Sequence, residues 1–251
     1  MASSLLSVVI PSYNEIGNLR KGTLDKVETY LKRKKYNFEV IVVDDGSDDG
    51  SREFVADFTR DNPEFRLIEN SHMGKAGAVT GGVLAARGDY ILFTDMDQAT
   101  PIGEVEKLIS RAEVGFDIVI GSRSGNRRGA PWTRRLMARG MIALRSIMVG
   151  LADIRDTQCG FKLFTREAAQ NIFSNVKTIH GGFHSIKSSS VAAGFDIELL
   201  LIGKNLGYKI AEVPIDWLYV ETRRVSPLKD SIEGLFDLVR IRGNIAKGTY
   251  N

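Results

Sequence analysis

Short, almost wholly apolar runs recur along the first half of this chain, and each one stops at a polar, turn-rich loop. Their pattern predicts strands over residues 5–10, 38–43, 66–69, 90–94 and 116–121. Between them lie stretches of helical periodicity, over 18–35, from about 51 to 60, over 74–87 and over 102–112. In the first of these, Leu19, Leu24, Val27 and Leu31 fall on one face. Runs apolar on both sides of the pleat suit strands covered on both faces, and strand–helix alternation with short connections builds a mostly parallel α/β sheet. At 251 residues the chain is long enough for one large α/β domain with a substantial core.

In such sheets ligands sit beyond the carboxyl ends of the strands. Four polar loops follow predicted strands: Pro11-Ser12-Tyr13-Asn14-Glu15, the acidic loop from Asp44 to Gly50, Asp95-Met96-Asp97-Gln98, and Gly121-Ser122-Arg123. The third is the most informative. Residues i and i+2 of an extended chain point the same way, so Asp95 and Asp97 can address one point. Hard divalent cations such as Mg²⁺ or Mn²⁺ take oxygen ligands and share them with substrate phosphates. The alternative for two carboxylates alone is a solvated turn at a strand end. Asp44 and Asp45 can accept hydrogen bonds from a base edge or a ribose, or cap the following helix with help from Ser47 or Asp48. Lys75, in Gly74-Lys75-Ala76-Gly77, opens a helix whose free amides favour an anion. The glycine spacings of a Walker loop and of a nicotinamide fingerprint are both absent.

Charge and cysteine content exclude other classes. Lys and Arg number 34 against 31 Asp and Glu, a net +3, which gives no general case for nucleic acid. A single cysteine, Cys159, excludes an internal disulfide and a Cys-rich zinc site, and is expected to pack as a small residue. The N-terminal residues lack a basic leader, and no apolar run approaches 18 residues, so neither a signal peptide nor a membrane span is expected.

Basic residues concentrate in the middle. From residue 118 to 152 there is no acidic side chain but there are seven arginines, including Arg123, Arg134, Arg135, Arg139 and Arg145. A helix over about 132–151 would gather Leu136, Met137, Met141, Leu144, Ile147, Met148 and Leu151 on one half and the arginines on the other. That reads as an interfacial membrane helix, or as a surface helix packed on the sheet. Guanidinium forks suit phosphate. Arg123, at a strand end near the paired aspartates, is the leading candidate for a donor or acceptor phosphate, and Arg134 or Arg135 for the acceptor phosphate at a membrane face. His180 and His184 have the i, i+4 spacing of a helical metal site, but Gly181 and Gly182 argue against a helix there. Residues 178–190 are expected to form a loop.

Five motifs in this order, VVIPSYNE, VIVVDDGSDDGS, GKAGAV, DMDQATP and GSR, resemble those of family-2 glycosyltransferases with the nucleotide-diphospho-sugar (GT-A) fold. Within that family the chain is most similar to the polyprenyl-phosphate glycosyltransferases of the dolichyl-phosphate glucosyltransferase type. The resemblance implies that Pro11, Tyr13, Glu15 and Asp45 hold the nucleotide, with Asp44, Lys75, Met96 and Gln98 around the donor. It implies that Asp95 and Asp97 bind Mg²⁺ or Mn²⁺, with Asp97, Asp156 and Arg123 as the catalytic set. Asp156 opens DTQCGFKLF, where relatives place an active-site aspartate. Whether it acts as a base stays open, because an acceptor phosphate monoester is already mostly ionised at neutral pH. Mannosyl-transferring relatives read DADxQ at the paired aspartates and glucosyl-transferring ones DADGAT; this chain has Gln98 in place of the glycine. The expectation is an inverting hexosyltransferase that uses UDP-glucose, or alternatively GDP-mannose, and a polyprenyl or dolichyl phosphate on the cytoplasmic membrane face. Residues 1–121 would form its nucleotide half and 122–251 its acceptor half. A soluble transferase acting on a glycan is the alternative.

Overall fold

The computed structural model describes residues 4–123, 145–183, 193–218 and 227–250. Its centre is one seven-stranded sheet built from β1 (Leu5–Ser12), β2 (Asn37–Asp44), β3 (Phe65–Glu69), β4 (Tyr90–Thr94), β5 (Ile118–Ser122), β6 (Phe161–Thr165) and β7 (Ile210–Pro214). The spatial order is β3-β2-β1-β4-β6-β5-β7. β6 alone runs antiparallel to its neighbours: it pairs Leu92↔Leu163 with β4 and Val119↔Leu163 with β5. β5 therefore meets the rest of the sheet through a strand that comes some forty residues later in the chain. The other expected strands are present, each within two residues of its predicted ends.

Successive strand residues face opposite sides. Val9, Ile41, Ile91, Phe93, Ile118 and Phe164 pack on one face with α4 (Gly74–Ala85), α6 (Arg166–Ile179), α7 (Ala193–Asn205) and α8 (Pro227–Ala246). Val8, Val40, Val42, Leu92, Val119 and Leu163 pack on the other with α2 (Thr23–Arg33), α3 (Ser51–Asp61) and α5 (Val105–Glu113). Both faces are covered, so the central strands read as unbroken apolar runs. Leu24, Val27 and Leu31 are fully buried on α2, as their spacing requires. The helix expected over 18–35 is in fact two, α1 (Ile16–Leu19) and α2, because Gly22 takes φ 74° at the break.

Two readings need correction. The strand β6 and the helix α6 had no counterpart in the expected alternation. On the presumed amphipathic helix, residues 145–149 are helical and Met148 and Leu151 pack on the core as expected, but Arg145 is buried and Ile147 is 82% exposed, against the expected faces. The Arg145 guanidinium is held by Thr157 Oγ1 at 2.8 Å and by the Ile154 carbonyl. Arg134, Arg135, Arg139 and the rest of that helix lie outside the described residues, as do His184 and most of the expected 178–190 loop. Among the described residues no helix is long and apolar enough to cross a membrane.

Candidate active site

The loops after β1 and β2 are fastened to each other. Asn14 N donates to Ser47 Oγ (3.0 Å), Glu15 N to Ser51 Oγ (2.9 Å), Ile16 N to Asp49 Oδ2 (3.1 Å), and Asp48 N to Asn14 Oδ1 (3.0 Å). Pro11 continues β1 beside Val43, and Glu15 turns its carboxylate to Asn18 (2.6 Å). Asp44 and Asp45 are both turned inward. Asp44 accepts from the amides of Gly46 and Ser47 and from Arg52 Nε, an Asx turn that sets the loop. Asp45 accepts from the amides of Met73 (2.7 Å) and Gly74 (2.8 Å), with His72 Nδ1 3.0 Å away. Burial raises its pKa against the pull of these donors. Asp45 thereby sets the start of α4 and holds His72, whose ring stacks on Tyr13 at 4.1 Å.

Beyond β4 the two acidic side chains of the Asp-x-Asp motif reach one polar cleft, which Arg123, Cys159, Gly160 and Trp217 also line. Met96, between them, points the other way and is buried in the apolar core, so its side chain is not a donor contact. Gln98 sits at φ 49°, a conformation glycine adopts freely, and its amide nitrogen returns to the Asp95 carbonyl at 3.0 Å. Asp97 Oδ1 accepts from Ala99 N (3.0 Å), and burial raises its pKa. Lys75 Nζ lies 2.5 Å from Asp95 Oδ1. Burial opposes its charge, but Asp95, Asp196 and Asp97 outweigh this and its pKa is pushed up to about 12. Gly160 packs edge-on to the same aspartate: a Cβ built there would stand 2.1 Å from Asp95 Oδ2.

Arg123, on the same cleft, is half of an ion pair. Arg123 grips Asp156 with two prongs, Nε at 2.7 Å and Nη2 at 2.8 Å, and adds its own amide at 3.0 Å. Glu212, on β7, holds the amides of Arg155 and Asp156 at 2.9 and 3.0 Å. Burial alone would raise the Asp156 pKa, yet Arg123 pulls it below the usual carboxylate range. The group is a fixed anion. Cys159 is buried, and desolvation pushes its thiol up to about 11, so it packs and does not attack.

Sequence reasoning passed over several neighbours. Lys162 is fully buried, its ammonium on the Cys159 carbonyl (2.5 Å) and on Asp196. Trp217 lies beside Arg123, whose guanidinium carbon is 5.9 Å from the ring centre. The loop after β7 that carries it is tied to the aspartate loop by Leu218 N to the Ala99 carbonyl (2.7 Å). Its signal was available, since the run over 209–214 also reads as a strand in the sequence and this loop follows it. His180 is no metal ligand here: Nε2 pairs with the buried Glu198 at 2.9 Å, and Tyr250 donates to the same carboxylate at 2.6 Å.

Among the described residues no three His, Cys, Asp or Glu side chains gather as a closed metal cage. Two carboxylates on one cleft nevertheless fit Mg²⁺ or Mn²⁺ in the way such ions usually bind, with a substrate diphosphate and water completing the shell.

The fold has solved counterparts. A mannosyl-3-phosphoglycerate synthase from Rubrobacter xylanophilus superposes with TM-score 0.62 at 18% identity, covering 98% of this chain and 75% of that one. A mannosyltransferase of Pyrobaculum calidifontis, solved with GDP-Man and Mn²⁺, gives 0.61 at 19%, covering 98% and 65%. Fold and cleft together define a GT-A type nucleotide-sugar transferase architecture. The model of "Glycosyl transferase family 2" matches residues 7–194, and the chain belongs to that family. Curated relatives share about a third of its residues. They include dolichyl-phosphate beta-glucosyltransferases of Dictyostelium discoideum (34% identical, 98% of this chain and 76% of that one), Saccharomyces cerevisiae (34%, 98% and 76%) and Homo sapiens (33%, 98% and 77%).

Proposed function

We propose that this glycosyltransferase moves glucose from a nucleotide diphosphate sugar, UDP-glucose by preference, to dolichyl phosphate or a related polyprenyl phosphate, inverting the anomeric centre at a membrane surface. The observation that carries this reading is the single cleft that Asp95, Asp97 and Arg123 line together, with Arg123 fixed by Asp156. The names of the curated relatives agree with it.

Asp95 and Asp97 would hold a divalent ion, which supplies charge neutralisation to the departing diphosphate. The loops zipped together at 13–16 and 47–51, with the Tyr13–His72 stack, form the platform for the nucleotide. The acceptor needs little deprotonation, because a phosphate monoester is already mostly ionised near neutral pH. Asp156, locked as an anion by Arg123, is a poor proton acceptor. Its role is to fix the Arg123 fork, which orients an acceptor oxygen towards the sugar. Arg134 or Arg135 would complete the acceptor-phosphate site on the cytoplasmic membrane face.

The test is a panel of nucleotide sugars with a short polyprenyl phosphate and Mn²⁺. Transfer from UDP-glucose, lost on chelation and in Asp97→Ala, is the expected result. Lipid-independent transfer to a soluble glycan, or no transfer to the lipid phosphate from any donor, overturns the proposal. GDP-mannose is the second donor to include, because Gln98 departs from the glucosyl pattern.

A further inference from the structure

The metal-binding carboxylates proposed above face a cation belonging to the chain itself. Lys75, in the first turn of α4, presents Nζ to Asp95 Oδ1 at 2.5 Å. The pair is not buried core, since the two side chains are 26% and 41% exposed and Asp95 lines the cleft. Gly160 limits any swing of Asp95 towards it, backing its other oxygen so closely that a methyl group would not fit between them. The ammonium, by contrast, is on a flexible stem and lies within the field of two further carboxylates, Asp97 and Asp196.

We infer that Lys75 is an exchangeable counter-ion for the Asp95/Asp97 pair. It holds the cation position when the cleft is empty and turns to the donor diphosphate when nucleotide and divalent ion enter. The inference rests on the metal reading and deepens it. An ammonium and a hard divalent ion compete for the same carboxylate oxygen, so Lys75 weakens ion binding while no anion is there to receive it. A diphosphate accepts Lys75 as a point charge and frees Asp95. Nucleotide and ion then bind cooperatively, and by linkage each tightens the other equally.

Manganese binding to the intact chain, followed by the electron paramagnetic resonance of free Mn²⁺, tests this. UDP is present or absent, and the UDP–Mn²⁺ complex is measured separately without protein. Wild type is expected to bind Mn²⁺ about tenfold more tightly with UDP, within the usual range of coupling between sites. Lys75→Met should bind Mn²⁺ alone about tenfold more tightly than wild type and gain less from UDP than wild type does, and Lys75→Arg should behave as wild type. Lys75→Gln is run alongside, so that a misfolded Met variant does not decide the matter. If the neutral variants bind Mn²⁺ no better than wild type without UDP, the counter-ion is overturned although the metal site stands. If wild type takes up no Mn²⁺ in either arm, the metal reading fails and the counter-ion falls with it.

Discussion

Gly160 and Asp95 are in edge-to-edge contact: the position a Cβ would take on residue 160 is 2.1 Å from Asp95 Oδ2. The carboxylate is thus aimed by a backbone surface from the other half of the chain. Gly160→Ala is expected to fold, because the site is a cleft wall with room for Asp95 to turn outward. Displacing a reacting group by about an ångström costs on the order of a hundredfold in rate. Steady-state turnover beside a melting curve checks this; activity within threefold of wild type would show that Asp95 tolerates the shift.

Arg123 and Asp156 should behave as a unit. A lysine cannot reproduce the two-pronged grip, so Arg123→Lys is expected to lose activity about as far as Arg123→Ala does. The depressed Asp156 pKa has a definite sign. Its stabilising contribution is fully present above the unfolded-state value of about 4 and is lost as pH falls through the lower folded-state value. Between pH 6 and 8 its charge does not change. Asp156→Asn should therefore lower activity without moving the pH–rate profile in that range. A profile whose acidic limb vanished in Asp156→Asn would instead identify Asp156 as the general base.

Gln98 balances strain against a hydrogen bond. Left-handed backbone costs a non-glycine residue about 1–2 kcal/mol, and the bond from its side chain to the Asp95 carbonyl returns about 1 kcal/mol. Gln98→Gly should leave stability nearly unchanged. Gln98→Ala keeps the strain and loses the bond, and should cost about 1 kcal/mol by urea unfolding. Equal stability of the Ala and Gly variants would contradict this balance.

Lys162 and Asp196 form a buried pair beneath the cleft. Removing one partner strands the other charge, so Lys162→Met should destabilise by roughly 3–5 kcal/mol. Lys162→Met with Asp196→Leu should recover much of the loss, and a double variant no better than the single one would count against the pairing.

These residues mark what a chain discloses before it is folded. The donor-side strands and their convergent loops were legible because apolar runs ending in turn residues state both where a strand lies and where it stops. The alternation of Asp95, Met96 and Asp97 foretold two carboxylates on one side and a core methionine on the other, although Met96 had been counted among the donor contacts. β6 was missed because its residues read as a motif, and because Lys162 inside Phe161-Lys162-Leu163-Phe164 looks like a solvated side chain until Asp196 arrives from a distant helix. The inward turn of Asp45 was equally illegible: its donors, residues 72–74, are fixed by tertiary packing, whereas Asp44 closes a local turn on Gly46 and Ser47.

The reversed strand β6 binds the molecule's two tasks into one fabric. With β6 between β4 and β5, a fragment ending near residue 121 would leave the strand that delivers Asp95 as a raw edge, and would leave β5 without a neighbour to reach it. Such a fragment should be sticky and poorly folded. New specificities would then arise by remodelling loops on an intact sheet, and not by exchanging one half of the chain for a foreign one.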